Sequence, residues 1–187
     1  MDAFSYLSVL IAIILGLAIT QILKGFRSLL HARERVHIYW PSLVWAVLVL
    51  IIAVQSWWAM FGLREYRGWT FLGFSVLLLQ TIVTYMLAAL VLPDFAGEHR
   101  VDLHKSYFQQ YRWFYGLLVL ALVVSMCKDF VLFGSFPTGF NLAFHLFGIV
   151  GGVCMALIRH ETFHKVYTLF SLALFLSYIA ILFEHLR

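Results

Sequence analysis

One pentapeptide contains residue types that could bind a metal. His160-Glu161-Thr162-Phe163-His164 matches H-E-x-x-H, in which two histidines one helical turn apart bind zinc and the glutamate serves as base. Further candidate ligands occur upstream in the chain, at Asp94, Glu98, His99, Asp102 and His104. The match therefore suggests an enzyme that binds a metal through His160, Glu161 and His164.

Two features of the surrounding sequence weaken the zinc hypothesis. Apolar runs flank the pentapeptide, and we expect the chain to turn at 159–162, which would remove His160 from the helix that carries His164. Lys165 follows the second histidine, where zinc proteases usually have an uncharged residue. We therefore expect no cofactor, and zinc remains an alternative.

A second group of ionisable residues lies inside or beside apolar runs. Lys128 and Asp129 are adjacent near the end of one run, and His145 lies within the next. Ionisable groups in such runs are costly unless they pair or have a function. Asp129 and His145 could pair across two neighbouring helices. They would then form either an ion or ligand pathway, or a hydrogen-bonded lock between the helices.

Neutral polar residues form a third group, near the middle of two further apolar runs. Gln80 and Thr84 are spaced i, i+4, so they share one face of a helix, and Gln55 lies in the preceding run. Such residues can line a hydrophilic path or hydrogen-bond neighbouring helices together. Trp45, near the start of the run that contains Gln55, is typical of a membrane-interface belt.

The amino-acid composition indicates the environment in which these polar residues lie. The chain has 187 residues, of which 63% are hydrophobic and 12% are charged. Soluble domains are about half apolar and about a quarter charged, so lipid must cover the excess. Runs of about 20 apolar residues can each cross a bilayer as a helix. We predict an all-α polytopic membrane protein, a single domain over 1–187, with six transmembrane helices and short loops. The predicted spans are approximately 4–23, 39–63, 69–92, 111–133, 140–158 and 163–183.

The basic residues predict the orientation of these spans. If the loops alternate between the two membrane faces, one face collects most of the 13 Lys and Arg residues. That face carries Lys24, Arg27, Arg33, Arg35, Arg100, Lys105, Arg112, Arg159 and Lys165. The opposite face carries Arg64, Arg67, Lys128 and Arg187. The basic face should be cytoplasmic. This predicts a protein of the bacterial inner (plasma) membrane with both termini extracytoplasmic. Six of the histidines also map to the cytoplasmic side, where we expect them to be interfacial and partly solvated.

These observations favour three functions. The first is a channel or transporter for an ion or small polar solute, with Lys128, Asp129, His145, Gln55, Gln80 and Thr84 as candidate site residues. The second is the metal enzyme described above, and the third is a non-catalytic subunit or scaffold of a larger membrane complex. The expected partners are the lipid bilayer and further copies of the chain, and no nucleic acid. Homo-oligomers are suggested by the small-residue pairs Gly16/Thr20 and Gly148/Gly152.

Overall fold

The fold consists of six long helices. A computed structural model describes residues 3–94 and 100–182; Glu98, His99, Arg187 and the predicted end of the last span at 183 lie outside them. The helices are α1 (Ala3–His31), α2 (Trp40–Met60), α3 (Phe71–Leu90), α4 (Leu103–Phe133), α5 (Gly139–Leu157) and α6 (Glu161–Leu182). Each is long and apolar enough to span a membrane. The prediction of an all-α six-helix membrane bundle is therefore confirmed.

Two helices extend further than the apolar runs that predicted them. α1 continues through its basic segment to His31, past the predicted span end at 23. α4 begins at Leu103 and not at 111, because the Asp102 side chain accepts a hydrogen bond from the backbone N–H of Lys105 at 3.1 Å. Such a cap starts a helix in a polar segment that hydropathy alone assigns to a loop. α4 ends at Phe133 and is capped by Gly134, which adopts a left-handed conformation with φ 69°.

The links at one end of the bundle are joined by a short pair of parallel strands. β1 (Val36–His37), between α1 and α2, pairs with β2 (Val101–Asp102), just before α4. His37 Nδ1 lies 3.5 Å from Asp102 Oδ1 across this pair. The α5–α6 link reaches the same end, where Glu161 Oε2 lies 3.5 Å from His104 Nε2. We call this the basic end of the bundle, and the other the opposite end.

The helices form a closed ring whose order differs from their order in the chain. α1 packs against α2 and α3, α4 packs against α3 and α5, and α6 packs against α5 and α2. The order around the ring is therefore α1, α3, α4, α5, α6, α2. α2 also contacts α3 and α4, so it lies partly inside the ring.

The two small-residue pairs have different surroundings. A Cβ on Gly148 or Gly152 would lie 2.6 Å from Leu122 or 2.7 Å from Val119, so these glycines let α5 approach α4 within one chain. A Cβ on Gly16 would meet nothing within 4 Å, and Thr20 bonds only the carbonyl of its own helix at 2.7 Å. Association between copies of the chain remains a prediction.

Candidate functional site

A cavity of about 370 Å³ lies inside the ring, and residues from all six helices line it. Its wall includes each of the polar side chains selected above as permeation or ligand candidates, namely Gln55, Gln80, Thr84, Lys128, Asp129 and His145. These side chains come from α2, α3, α4 and α5, and they meet only because the helices close into a ring. Further polar groups line the same wall, namely Ser56, Thr81, Ser125, Asn141, Ser171 and Tyr178. The rest of the wall is mostly aliphatic and aromatic.

The two charges in the cavity wall neutralise each other. Lys128 Nζ lies 3.1 Å from Asp129 Oδ1, and their side chains are 22% and 20% exposed. A charge pair held this close in a poorly solvated wall leaves little net field for attracting an ion. The pair gives the cavity one strong hydrogen-bonding locus without a fixed net charge.

His145 is held by two hydrogen bonds, and neither involves Asp129. Its Nδ1 lies 2.8 Å from the carbonyl of Asn141, which can only accept, so Nδ1 carries the hydrogen. Its Nε2 is then an acceptor, and Ser125 Oγ donates to it at 3.2 Å. In this arrangement Asp129 pairs with Lys128 instead of His145, and the functional role suggested for the two residues stays a prediction. Ser125, one helical turn before Asp129 on α4, is the residue at the depth of His145.

The neutral polar residues of α3 differ in how their hydrogen bonds are satisfied. Thr81 Oγ1 donates to the carbonyl of Leu77 at 2.8 Å, and Thr84 Oγ1 donates to that of Gln80 at 3.0 Å. The Gln80 side-chain oxygen is buried and has no hydrogen-bond partner within the described residues. An unpaired buried acceptor costs about 1–3 kcal/mol, and a rotation of the Gln80 side chain that brought this oxygen to a donor in the cavity would recover that free energy.

Trp45 closes the cavity toward the basic end. Its indole Nε1 donates to Thr168 Oγ1 at 3.0 Å, and its ring meets Tyr115 edge-on with centroids 5.5 Å apart. Trp45 also lines a second cavity of about 20 Å³ on the side of the basic end, bounded by α2, α3 and α4. The expectation of a membrane-interface belt is wrong for Trp45, because its side chain is only 3% exposed and packs between helices.

A fully buried histidine lies beneath Trp45. His164 is 0% exposed. Its Nε2 lies 2.9 Å from the carbonyl of Ile158, so Nε2 donates and Nδ1 accepts from Tyr107 Oη at 2.8 Å. Tyr107 Oη lies in turn 2.7 Å from Tyr115 Oη. The expected interfacial, partly solvated position is wrong for His164, because α6 starts just before it and turns its ring inward, toward the tyrosines of α4.

The residues of the H-E-x-x-H match do not converge on one point. His160 precedes α6, where its Nδ1 accepts a hydrogen bond from the backbone N–H of Phe163 at 3.4 Å. Glu161 is bound by Lys165 Nζ at 2.7 Å, and both ring nitrogens of His164 have partners. Within residues 3–94 and 100–182, no group of three or more His, Cys, Asp or Glu residues could hold a metal. The zinc site stays a prediction that this arrangement does not favour.

The fold and the cavity define the class: a polytopic integral membrane protein with a ligand-sized cavity inside a ring of six helices. Comparison with known proteins adds no narrower identity, because no family model, curated protein or solved structure matches the chain. What the protein does must therefore be argued from the cavity itself.

Several polar residues of the cavity wall were not among the candidates selected from the sequence. Ser125, Asn141 and Ser171 each lie in an apolar run without a charged neighbour that would draw attention to them. The spacing of Asn141 and His145, i and i+4, places both on one helix face and was the available signal. Likewise, the tyrosines at 107, 111 and 115 share one face of α4, which predicts a polar partner on another helix.

Proposed function

We propose that the protein binds and transports a small organic solute that is uncharged or zwitterionic. One observation carries this proposal: polar side chains from separate helices meet in one cavity of about 370 Å³ at the centre of the ring. Cavities of about 300–1,000 Å³ with mostly apolar walls and a few polar groups are typical small-molecule sites. The volume exceeds what a single ion needs.

The chemistry of the wall supports this class of solute. The paired charges of Lys128 and Asp129 favour a neutral molecule, or one whose own two charges match the pair. Gln80 lines the cavity, and its amide can both donate and accept once its buried, unpaired oxygen turns toward a solute. The aromatic side chains of Phe144 and Phe175 give the wall an apolar surface for a carbon skeleton.

Trp45 supports transport by alternating access over conduction through an open pore. It separates the large cavity from the small one toward the basic end. A hydrogen bond to Thr168 and edge-on packing against Phe114 and Tyr115 hold its indole in place. Rotation of this side chain, together with a small movement of α2 or α6, would connect the two cavities. Gating of this kind around a fixed central site is the general logic of membrane transporters.

The orientation belongs to the same proposal. The bias of Lys and Arg toward the basic end favours a cytoplasmic basic end, in the inner membrane of a bacterium. The large cavity would then face the extracytoplasmic side, where Lys128 and Asp129 lie, and Trp45 would be the cytoplasmic gate. Cysteine-accessibility labelling from the two faces of intact cells tests this arrangement.

Solute uptake into proteoliposomes tests the transport itself. The probes are glycerol as a neutral polyol, phenylalanine as an amphipathic zwitterion, and K⁺ and Cl⁻ as ions. We expect saturable uptake of a neutral or zwitterionic probe that exceeds the ion flux. Gln80→Leu and Ser125→Ala should each weaken its apparent affinity by about fivefold or more, the value of one net hydrogen bond.

Ser75→Ala provides the matched control. Ser75 lies on α3 like Gln80, but its hydroxyl bonds the carbonyl of Phe71 at 2.7 Å and it does not line the cavity. Uptake by Ser75→Ala should equal that of the unaltered protein. Ion flux that exceeds solute uptake, or cavity variants that match the Ser75 control, would contradict the proposal.

A further inference from the structure

A second concave surface lies at the basic end, outside the ring. It is an open groove of about 440 Å³ between the start of α4 and the α5–α6 link. Lys105, Gln109 and Arg159 line it together with His104, Phe108 and Glu161. The Arg159 guanidinium lies 5.9 Å from the centroid of the Phe108 ring, which holds the cation beside α4. We call this surface the basic groove.

The basic groove carries an excess of positive charge. Its acid, Glu161, is bound by Lys165 Nζ at 2.7 Å and faces His104 Nε2 at 3.5 Å. Lys105 and Arg159 are exposed, and neither forms an ion pair within residues 3–94 and 100–182. Two basic side chains, and Gln109 as a neutral donor in the same groove, are therefore free to bind an anion.

The surface next to the basic groove is apolar. Lys105, Gln109 and Trp113 follow each other at i, i+4 and i+8, so they share one face of α4. Trp113 is 76% exposed, and Leu157, near the end of α5, is 73% exposed. In a spanning helix, a basic turn lies at the level of the lipid head groups. The exposed apolar side chains that follow it along the helix then contact the lipid tails.

We propose that the basic groove binds the phosphate of an anionic phospholipid. Arg159 and Lys105 contact the phosphate oxygens, Gln109 donates to the head group, and an acyl chain lies along Trp113. A guanidinium suits this role because its fork of donors matches two phosphate oxygens. The exposed apolar side chains of Trp113 and Leu157 favour a membrane lipid over free phosphate. This site is independent of the central cavity and of transport.

Quenching of Trp113 fluorescence by brominated phosphatidylglycerol tests the site. The full-length protein is placed in phosphatidylcholine bilayers with increasing amounts of the brominated lipid, and the Trp113 signal is the difference from a Trp113→Phe variant. We expect half-maximal quenching at a low fraction of the anionic lipid. The double variant Lys105→Gln/Arg159→Gln should need about 30-fold more, since each basic side chain near an anionic surface contributes about fivefold.

Two controls make the result decisive. Arg33→Gln/Arg35→Gln removes the same charge from exposed residues at the same end of the bundle and should leave the quenching curve unchanged. Melting in pure phosphatidylcholine should be equal for all variants, which shows that they fold. Equal weakening in the two double variants would overturn the site in favour of general surface charge. Competition by millimolar inorganic phosphate or glycerol phosphate would overturn the lipid as its occupant.

Discussion

Truncation of His164 distinguishes a structural histidine from a zinc ligand. The His164 ring is fully buried among aromatic side chains, and both of its nitrogens are hydrogen-bonded. Tyr107 keeps Tyr115 as a partner when the ring is removed, so most of the cost comes from the void. Replacing a buried aromatic residue by alanine costs about 3–5 kcal/mol. Because imidazole is smaller than a phenyl ring, we expect about 3 kcal/mol for His164→Ala.

His160→Ala is the matched control within the same motif. His160 is exposed, and its side chain accepts a hydrogen bond from the backbone N–H of Phe163 at 3.4 Å. Loss of a weak helix cap costs about 0.5–1 kcal/mol. For a protein of this size, 1 kcal/mol corresponds to about 2–4 °C in Tm. Thermal melting in detergent should therefore show a loss of about 6–12 °C for His164→Ala and at most about 4 °C for His160→Ala.

The zinc hypothesis expects the opposite pattern. If His160 and His164 both bind zinc, each alanine variant loses the binding free energy of the metal, and the two should melt at similar temperatures. A chelator should then lower the Tm of the unaltered protein to that of the variants. Equal losses in the two variants, together with sensitivity to a chelator, would refute the structural interpretation of His164.

Three further predictions concern a helix start, a helix contact and the proposed gate. Backbone N–H groups of the first turn of α4 hold the pKa of Asp102 below its usual value. The ionised carboxylate therefore stabilises the fold above about pH 4, and this contribution is lost as the pH falls through the lower pKa of the folded state. Asp102→Asn should keep the helix cap but remove this pH dependence of the Tm. Asp102→Ala should lower the free energy of unfolding by about 1 kcal/mol at pH 7. An unchanged acid dependence of the Tm in Asp102→Asn would contradict this role. Gly152→Val should lower the free energy of unfolding by about 1–3 kcal/mol, because it overpacks the contact of α5 with α4. Gly16→Val has open space at its Cβ and should change that free energy by no more than about 0.5 kcal/mol. Equal losses of Tm at both glycines would argue against the packing. Thr168→Val removes the hydrogen-bond acceptor of the Trp45 indole. Solute exchange in proteoliposomes should therefore become faster while the apparent affinity for the solute stays constant. A change in affinity alone would argue against a gate.

The helices themselves were predictable because the information that specifies them is local. A bilayer about 30 Å thick requires about 20 apolar residues per spanning helix, and such runs are visible without any knowledge of neighbours. The polar candidates were visible for the same reason, since Gln80, Asp129 and His145 interrupt apolar runs. The start of α4 was missed because one capping side chain, Asp102, overrides the hydropathy of the segment that follows it.

The partners of the candidate residues were not predictable in this way. Asp129 and His145 were expected at nearly matched depths, but hydropathy fixes the position of a helix along the membrane normal only to within about a turn. Ser125 and Asp129 share one face of α4 but differ by one helical turn in depth, and the structure places His145 at the level of Ser125 and leaves Asp129 with its neighbour Lys128. His164 and Trp45 were assigned to the interface from their position along the chain, whereas both face inward. Whether a side chain near a helix end is buried depends on which neighbouring helices pack against it.

The sequence by itself determined the class of the protein, the number of its spans and the residues at which polarity interrupts them. These properties follow from hydropathy and length, which are read along one segment at a time. Only the tertiary structure decided that the helices close into a ring in the order α1, α3, α4, α5, α6, α2. The cavity exists because of that order, which brings Gln80 of α3 and Asp129 and His145 of α4 and α5 to a common wall. Ring order depends on side-chain contacts between helices far apart in the chain, and those contacts also give both ring nitrogens of His164 hydrogen-bond partners.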